Sequence, residues 1–291
     1  MIGSHPEWLE CRRGTAPLVV SLPHTGTEIP AAVAARLVSP WLSRKDTDWL
    51  LERLYDFAAA LGATALRTRL SRTVIDLNRD PSGASLYPGL ATTELCPTLT
   101  FDGEPLYRDG KGLPPEEVAG RRDRWFAPYH AVLAAEVARL RAIHPRVVVY
   151  DAHSIRSSVP RLFDGELPNF NIGTDGGRTC DPALTAAVEA AIESSGFSRV
   201  TNGRFRGGFI TRDLGRTCDG VHAIQMELAI RTYLVEPSDP PGEENWPPEY
   251  DPAWAAHARD VLSRVLDACL AFARGEAARG PAARPLVRTN P

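Results

Sequence analysis

Two histidines stand directly after apolar, strand-like runs: His24 after PLVVSL and His153 after VVVYDA. The pair Asn78-Arg79 behind TVIDL and Glu227 at the end of VHAIQM occupy comparable positions. In an open α/β sheet the ligand site lies outside the carboxyl ends of the strands, so polar residues there are the first candidates for chemistry. Two neutral imidazoles carried by separate strands can converge on one zinc ion or another divalent metal. A catalytic zinc takes a third protein ligand and keeps one position open for water. Glu28, Asp46 and Asp48 are the acidic candidates near His24. Glu28 sits four residues on, with Gly26 between, and Asp46 suits the cap of the helix expected next. Asp48, which this reading puts in the first helical turn, is preferred as the ligand.

These positions need a sheet and helices to hold them. Leu18–Leu22, Arg146–His153 and Val221–Leu228 read as strands, and residues 63–78 as one or two more, by apolar runs or period-two alternation. Apolar residues at helical spacing predict helices over Asp46–Ala63, Glu116–Ile143, Pro182–Ser194 and Pro252–Arg274. The piece Gly208–Arg212 reads as strand-like. Alternating strands and helices imply an α/β fold, a three-layer αβα sandwich around a mixed, largely parallel sheet. Residues 1–274 form a single domain on this reading, and 275–291, rich in Ala, Arg and Pro, a loose tail. The Gly- and Pro-rich stretch 80–115 is too long for an idle connection and is expected to wall the site as a lid.

Composition narrows the partners. Net charge is -3, and the arginines are interspersed with acids, which excludes a basic nucleic-acid-binding block. No apolar run approaches the roughly 20 residues that span a bilayer, and the N-terminus lacks a signal-peptide core, so a cytoplasmic protein is expected. The five cysteines are dispersed and form no C-x-x-C pair, and are read as reduced thiols. A small substrate bearing carboxylates fits best, and oligomeric state is left open. Non-haem iron oxygenases also use two histidines and a carboxylate, but with a close His-x-Asp pair that this chain lacks.

The segments PHTGTEIP, DTDWLLERLYDFAAALGA, RTVIDLNRDPSGASLYPG, YDAHSIRSSVPRLFDGELPNFNIGT and GGFITRDLGR with GVHAIQMEL resemble the N-formylglutamate amidohydrolases (N-formylglutamate deformylases) of histidine degradation, from about Pro17 to Leu234. More distantly, IDLNR and DAH with a late Glu resemble aspartoacylases and zinc carboxypeptidases, whose fold the chain is then expected to share. The resemblance implies zinc on His24, Asp48 and His153, with Glu227 as general base. It implies Asn78 and Arg79 as holders of a substrate carboxylate, and Arg72 near the arginine that polarises the scissile carbonyl. Asp213 stands where a histidine is expected, so that role is missing or falls to His222.

Hydrolysis of a formyl amide requires a nucleophile at neutral pH, an electrophile for the carbonyl oxygen and a proton for the leaving amine. Zinc serves the first two, and Glu227 can carry the proton. Arg79, Arg212 and Arg216 would address the two carboxylates of a formylglutamate-like substrate, unless they pair with Asp76, Asp80 and Asp213 instead. Gly207-Gly208 and Asn169–Gly173 are candidate close approaches of backbone to ligand. Two alternatives stand beside a deformylase: a deacylase for another N-acyl amino acid, and a non-catalytic small-acid binder, which would not require Glu227.

Overall fold

The computed structural model describes residues 5–276 apart from 88, 90, 109 and 111, so nearly all of the expected loose tail lies outside the described residues. The strands are β1 (Leu9–Arg12), β2 (Leu18–Leu22), β3 (Thr64–Thr68), β4 (Val147–Ile155), β5 (Phe170–Gly173), β6 (Arg199–Thr201) and β7 (Val221–Ala229). They form one mixed sheet in the order β1-β3-β2-β4-β7-β5-β6. The four central strands β3, β2, β4 and β7 are parallel, while β1 and β5 join antiparallel.

The helices are α1 (Ala31–Ala34), α2 (Leu51–Leu54), α3 (Pro115–Arg121), α4 (Ala127–Arg141), α5 (Pro182–Glu193), α6 (Phe209–Leu214) and α7 (Pro252–Arg274). Because strand side chains alternate, each central strand feeds two cores. Leu18, Val20, Tyr150 and Ile224 face α5 and α7 in one cluster. Val19, Val149 and Ala223 face α4 and α6 in the other. The sheet is therefore covered on both faces, which is the expected three-layer α/β architecture. The expected helix over 116–143 is α3 and α4 joined by a π turn at Arg122–Phe126. The turn directly precedes Pro128, which has no N–H for the carbonyl of Arg124.

Three expected elements are corrected. The helix over 46–63 shrinks to α2 and a 3-10 turn at Asp56–Ala59. Its periodicity is genuine, since Leu51, Leu54, Tyr55 and Ala58 are all in the core, but Leu50 adopts a left-handed conformation (φ 58°) and no helix precedes it. Asp48 thus lies before the helix rather than in its first turn, and Asp46 accepts from the Phe101 N–H instead of capping. The strand over 63–78 stops at Thr68; beyond it the chain turns repeatedly and sends Arg72, Asp76 and Asn78 into one cavity. The piece around Gly208–Arg212 is α6, not a strand.

Candidate active site

The site is laid out by strand register. Val19, Val149 and Ala223 are neighbours across β2, β4 and β7, and two residues on, Ser21, Asp151 and Gln225 form the next row on the same face. Two residues further, His153 is paired with Glu227, while β2 has already ended and turned through Pro23 into His24. One face of three strands thus passes from apolar to polar within four residues. β4 and β7 outrun β2, and the space left beyond Leu22 is where His24 meets His153.

His24, Asp48 and His153, all buried, bring one atom each to a common point. His153 Nδ1 lies 3.1 Å from His24 Nδ1 and 3.2 Å from Asp48 Oδ2, and His24 Nδ1 is 3.7 Å from the same oxygen. Zinc bonds of about 2.0–2.1 Å in a tetrahedral arrangement put ligand atoms about 3.3 Å apart, so the separations fit. The outer nitrogens are both engaged. His24 Nε2 donates to Asp76 Oδ1 at 2.8 Å, and His153 Nε2 to Asp151 Oδ2 at 2.9 Å. With the protons on Nε2, both Nδ1 lone pairs and the Asp48 oxygen are acceptors facing one another, and only a shared cation or proton satisfies all three. A buried carboxylate behind each histidine is the usual outer support of metal-binding imidazoles.

Electrostatics point the same way. Burial alone would depress His153, but Asp151 and Asp48 outweigh it and hold the imidazole well above its ordinary range. Asp48 is held well below the carboxylate range: burial opposes this, and His153 and His24 override it. The cluster therefore favours positive charge at its centre. Main-chain bonds fix it, with Asp48 N–H donating to the His24 carbonyl and Ser154 N–H to Asp48 Oδ2. Asp46, by contrast, sits apart beside Arg156, and Glu28 pairs with Arg69 away from the histidines.

Glu227 has the opposite character. It is 7% exposed, and its carboxylate has one long contact, 3.4 Å from Gln225 Nε2. Burial pushes it from 4.5 up to about 8, against the opposing pull of His153. It lines the same cavity as both histidines, beside Arg72, Asn78 and Gly208. A poorly solvated carboxylate next to a cation-binding cluster is equipped to take and return a proton.

Asn78 is largely committed to the protein. Its Nδ2 donates to Asp151 and lies 2.9 Å from His153 Nε2, while its Oδ1 accepts from Ile210 N–H. Arg72 donates to Asp76 at 2.7 Å and to Asp48 at 3.4 Å, with its guanidinium over Phe101. Arg79 lines the cavity, donating to Thr93 and lying 3.6 Å from Asp76. Arg212 lies outside that lining, donating to the Gly207 carbonyl and pairing with Asp175, and Arg216 is outside it as well. Asp213, on α6, also lies outside. His222 does not replace the missing histidine: its Nδ1 accepts from Asp181 N–H at the start of α5.

The 80–115 stretch contributes Tyr87, Thr92, Thr93 and Phe101 to the cavity wall, and Tyr87 donates to the Gly207 carbonyl. Gly208 N–H donates to Gln225, and a Cβ there would stand 2.3 Å from Asn78 Nδ2, so glycine is what lets this loop approach. A Cβ on Gly173 would stand 2.5 Å from the Gly207 nitrogen, so glycine there packs the end of β5 against the same loop. Asp151 and Gln225 are not among the sequence candidates for the site, and Asp76 is expected only as a partner for arginines, which it is for Arg79 and Arg72. Asp151 and Gln225 precede His153 and Glu227 by two residues on β4 and β7, a spacing that means the same face, whereas Asp76 and Asn78 lie in turns beyond β3.

Fold and site together define an α/β protein with a buried, metal-competent His-Asp-His centre beside a buried, poorly solvated glutamate. A family model described as N-formylglutamate amidohydrolase matches residues 16–234. N-formylglutamate deformylase from Pseudomonas aeruginosa is 46% identical over 92% of this chain and 98% of its own length. That from Pseudomonas putida is 43% identical over 91% and 96%. The chain belongs to the N-formylglutamate amidohydrolase family. In fold it resembles the crystal structure of N-formylglutamate amidohydrolase from Ralstonia eutropha (TM-score 0.74, 24% identity, 92% and 98% coverage). A gene product of Agrobacterium tumefaciens shares the fold (TM-score 0.65, 19% identity, 90% and 96% coverage). Among the described residues no helix is long and apolar enough to cross a membrane.

Proposed function

We propose that the chain hydrolyses N-formyl-L-glutamate to formate and L-glutamate, the last step of a histidine degradation route, in the cytoplasm. Its cofactor on this reading is a divalent cation, zinc by the nature of the donors, held by His24, Asp48 and His153. Family membership and identity to the Pseudomonas deformylases over nearly the whole chain support the substrate. The observation that carries the mechanism is Glu227, buried, weakly hydrogen-bonded and paired in register with His153.

The cation, when bound, supplies a Lewis acid and lowers the pKa of water towards about 7. The remaining work falls to side chains of the chain. Glu227 accepts the proton of the attacking water at a carboxylate oxygen and passes it to the nitrogen as the C–N bond breaks, so that formate and a free amine leave. Asp76 and Asp151 keep both imidazoles in the tautomer that presents Nδ1. Arg72, anchored by Asp76 and Asp48, stands ready to stabilise the developing oxyanion, and Arg79 offers a guanidinium to a substrate carboxylate.

Metal analysis of the purified protein, coupled to formate release from N-formyl-L-glutamate with and without chelator, tests the reading. About one equivalent of zinc and chelator-sensitive release are expected. Metal-free protein that still released formate would overturn the mechanism, and release from other N-formyl or N-acetyl amino acids in preference to N-formyl-L-glutamate would overturn the substrate.

A further inference from the structure

Among the described residues three guanidinium groups line the cavity, and their surroundings differ. Arg72 is paired with Asp76 and Asp48. Arg79 lies 3.6 Å from Asp76 and is held by Thr93. Arg204 has no carboxylate within ion-pair distance among the described residues. It is nonetheless held firmly: Nε donates to the Leu162 carbonyl at 2.8 Å and Nη2 to the Ala91 carbonyl at 2.7 Å. Its guanidinium lies against two aromatic rings, 5.7 Å from the centre of Tyr87 and 5.4 Å from that of Phe205.

Half-burying an arginine without a counter-ion is unfavourable, because neutral carbonyls replace only part of its hydration. Desolvation, first, and then the nearby Arg79 push Arg204 below its ordinary range against the opposing pull of Tyr87 and of Glu227 across the cavity, so Arg204 and Arg79 are like charges that face one space. Among the described residues two of its five N–H groups are engaged, which leaves the others to grip a planar anion. Arg206, Arg212 and Arg216, the other arginines between residues 204 and 216, are not part of that lining.

We propose that Arg204 binds the side-chain carboxylate of the substrate, so that with Arg79 on the other carboxylate the cavity selects dicarboxylic N-formyl amino acids over those with neutral side chains. The assignment rests on the deformylase reading and names the residue that gives it specificity. Tyr87 and Phe205 fix the plane of the fork, and Leu162 and Ala91 fix its reach, so the charge is in place before the ligand enters.

The test compares kcat and KM for N-formyl-L-glutamate and N-formyl-L-glutamine, isosteres that differ by one charge, in the wild-type holoenzyme and in Arg204→Gln. Wild type is expected to favour the glutamate substrate by about a hundredfold or more in kcat/KM. In Arg204→Gln that preference should fall to within about fivefold, through a higher KM for the glutamate substrate alone. Arg204→Met, which keeps the packing against Tyr87 and Phe205, serves as a second variant with the same expectation. An equal loss on both substrates with the preference intact would reduce Arg204 to a tie between two loops and overturn the assignment. Wild-type protein that releases no formate from N-formyl-L-glutamate sinks the deformylase reading and the assignment with it, whereas an active wild type with an unselective Arg204 sinks the assignment alone.

Discussion

His153 and Glu227 are partners in the parallel register of β4 and β7, and their side chains project from the same face of the sheet into one cavity. An imidazole of the proposed cation site and the proposed proton carrier are therefore held by adjacent strands rather than by loops, and their relative position is as rigid as the sheet.

Replacing Glu227 with Gln preserves shape and removes the base. The variant is expected to bind zinc as the wild type does, measured by metal analysis, and to lose formate release by about 10²- to 10⁴-fold in kcat. Zinc retention together with unchanged turnover would contradict the assigned role.

Because the base acts as a carboxylate, activity should disappear on acidification as Glu227 takes up a proton. Its folded value is raised from 4.5 towards about 8 by burial, and a bound cation pulls it back down. The acid limb of kcat/KM is expected between these two values and should be absent from the residual rate of Glu227→Gln. A limb below pH 4.5 would sink the idea.

Asp76→Asn and Asp151→Asn each remove the carboxylate behind one imidazole. Zinc affinity, measured by competition with a chromophoric chelator, is expected to fall about 10- to 100-fold in each. Unchanged affinity in both would show that the imidazoles need no such support.

Gly208→Ala places a methyl group 2.3 Å from the Asn78 amide, which must then leave Asp151 and the neighbourhood of His153. A loss of about 1–3 kcal/mol in unfolding free energy is expected, accompanied by lower kcat. Wild-type stability and rate would show that the loop yields freely.

His222 has a depressed folded pKa, through burial first and the nearby Arg146 and Arg141, and its Nδ1 accepts a main-chain N–H. Between its folded and unfolded pKa values the unfolded chain binds more protons, so the contribution to stability is full above the ordinary value of 6.5 and is lost as pH falls from there through the lower folded value. Denaturant titrations at about pH 7.5 and pH 5.5 should show this loss, and His222→Asn, which can still accept the bond, should show a smaller one. An identical slope in the variant would place the effect elsewhere.

Much of this was legible in the sequence because strands with two covered faces leave uninterrupted apolar runs, and the polar residues that end them stand out. His24, His153 and Glu227 are found that way, and all three line the cavity. Asp151 and Gln225 are harder to see, because they lie inside the apolar runs and only the alternation along β4 and β7 puts them on the face of His153 and Glu227, while Asp76 reads only as a partner for arginines. The helix over 46–63 differs from its sequence pattern for another reason: the periodicity reflects core packing by Leu51 to Ala58, but Asp48 is drawn to the histidines and Leu50 turns the chain sharply. Local propensity carries no trace of that demand. Arg204 left no signal at all, since nothing in NGRFRGG distinguishes a cavity arginine from a surface one.

The early end of β2 has a consequence for biogenesis. His24 and Asp48 are joined through the main chain, but His153 reaches them only once β4 has aligned beside β2, across more than a hundred intervening residues. A nascent or misfolded chain offers at most part of the ligand set. Cation capture should therefore come last during maturation, and the amount of tightly held zinc in a preparation should count its correctly folded molecules.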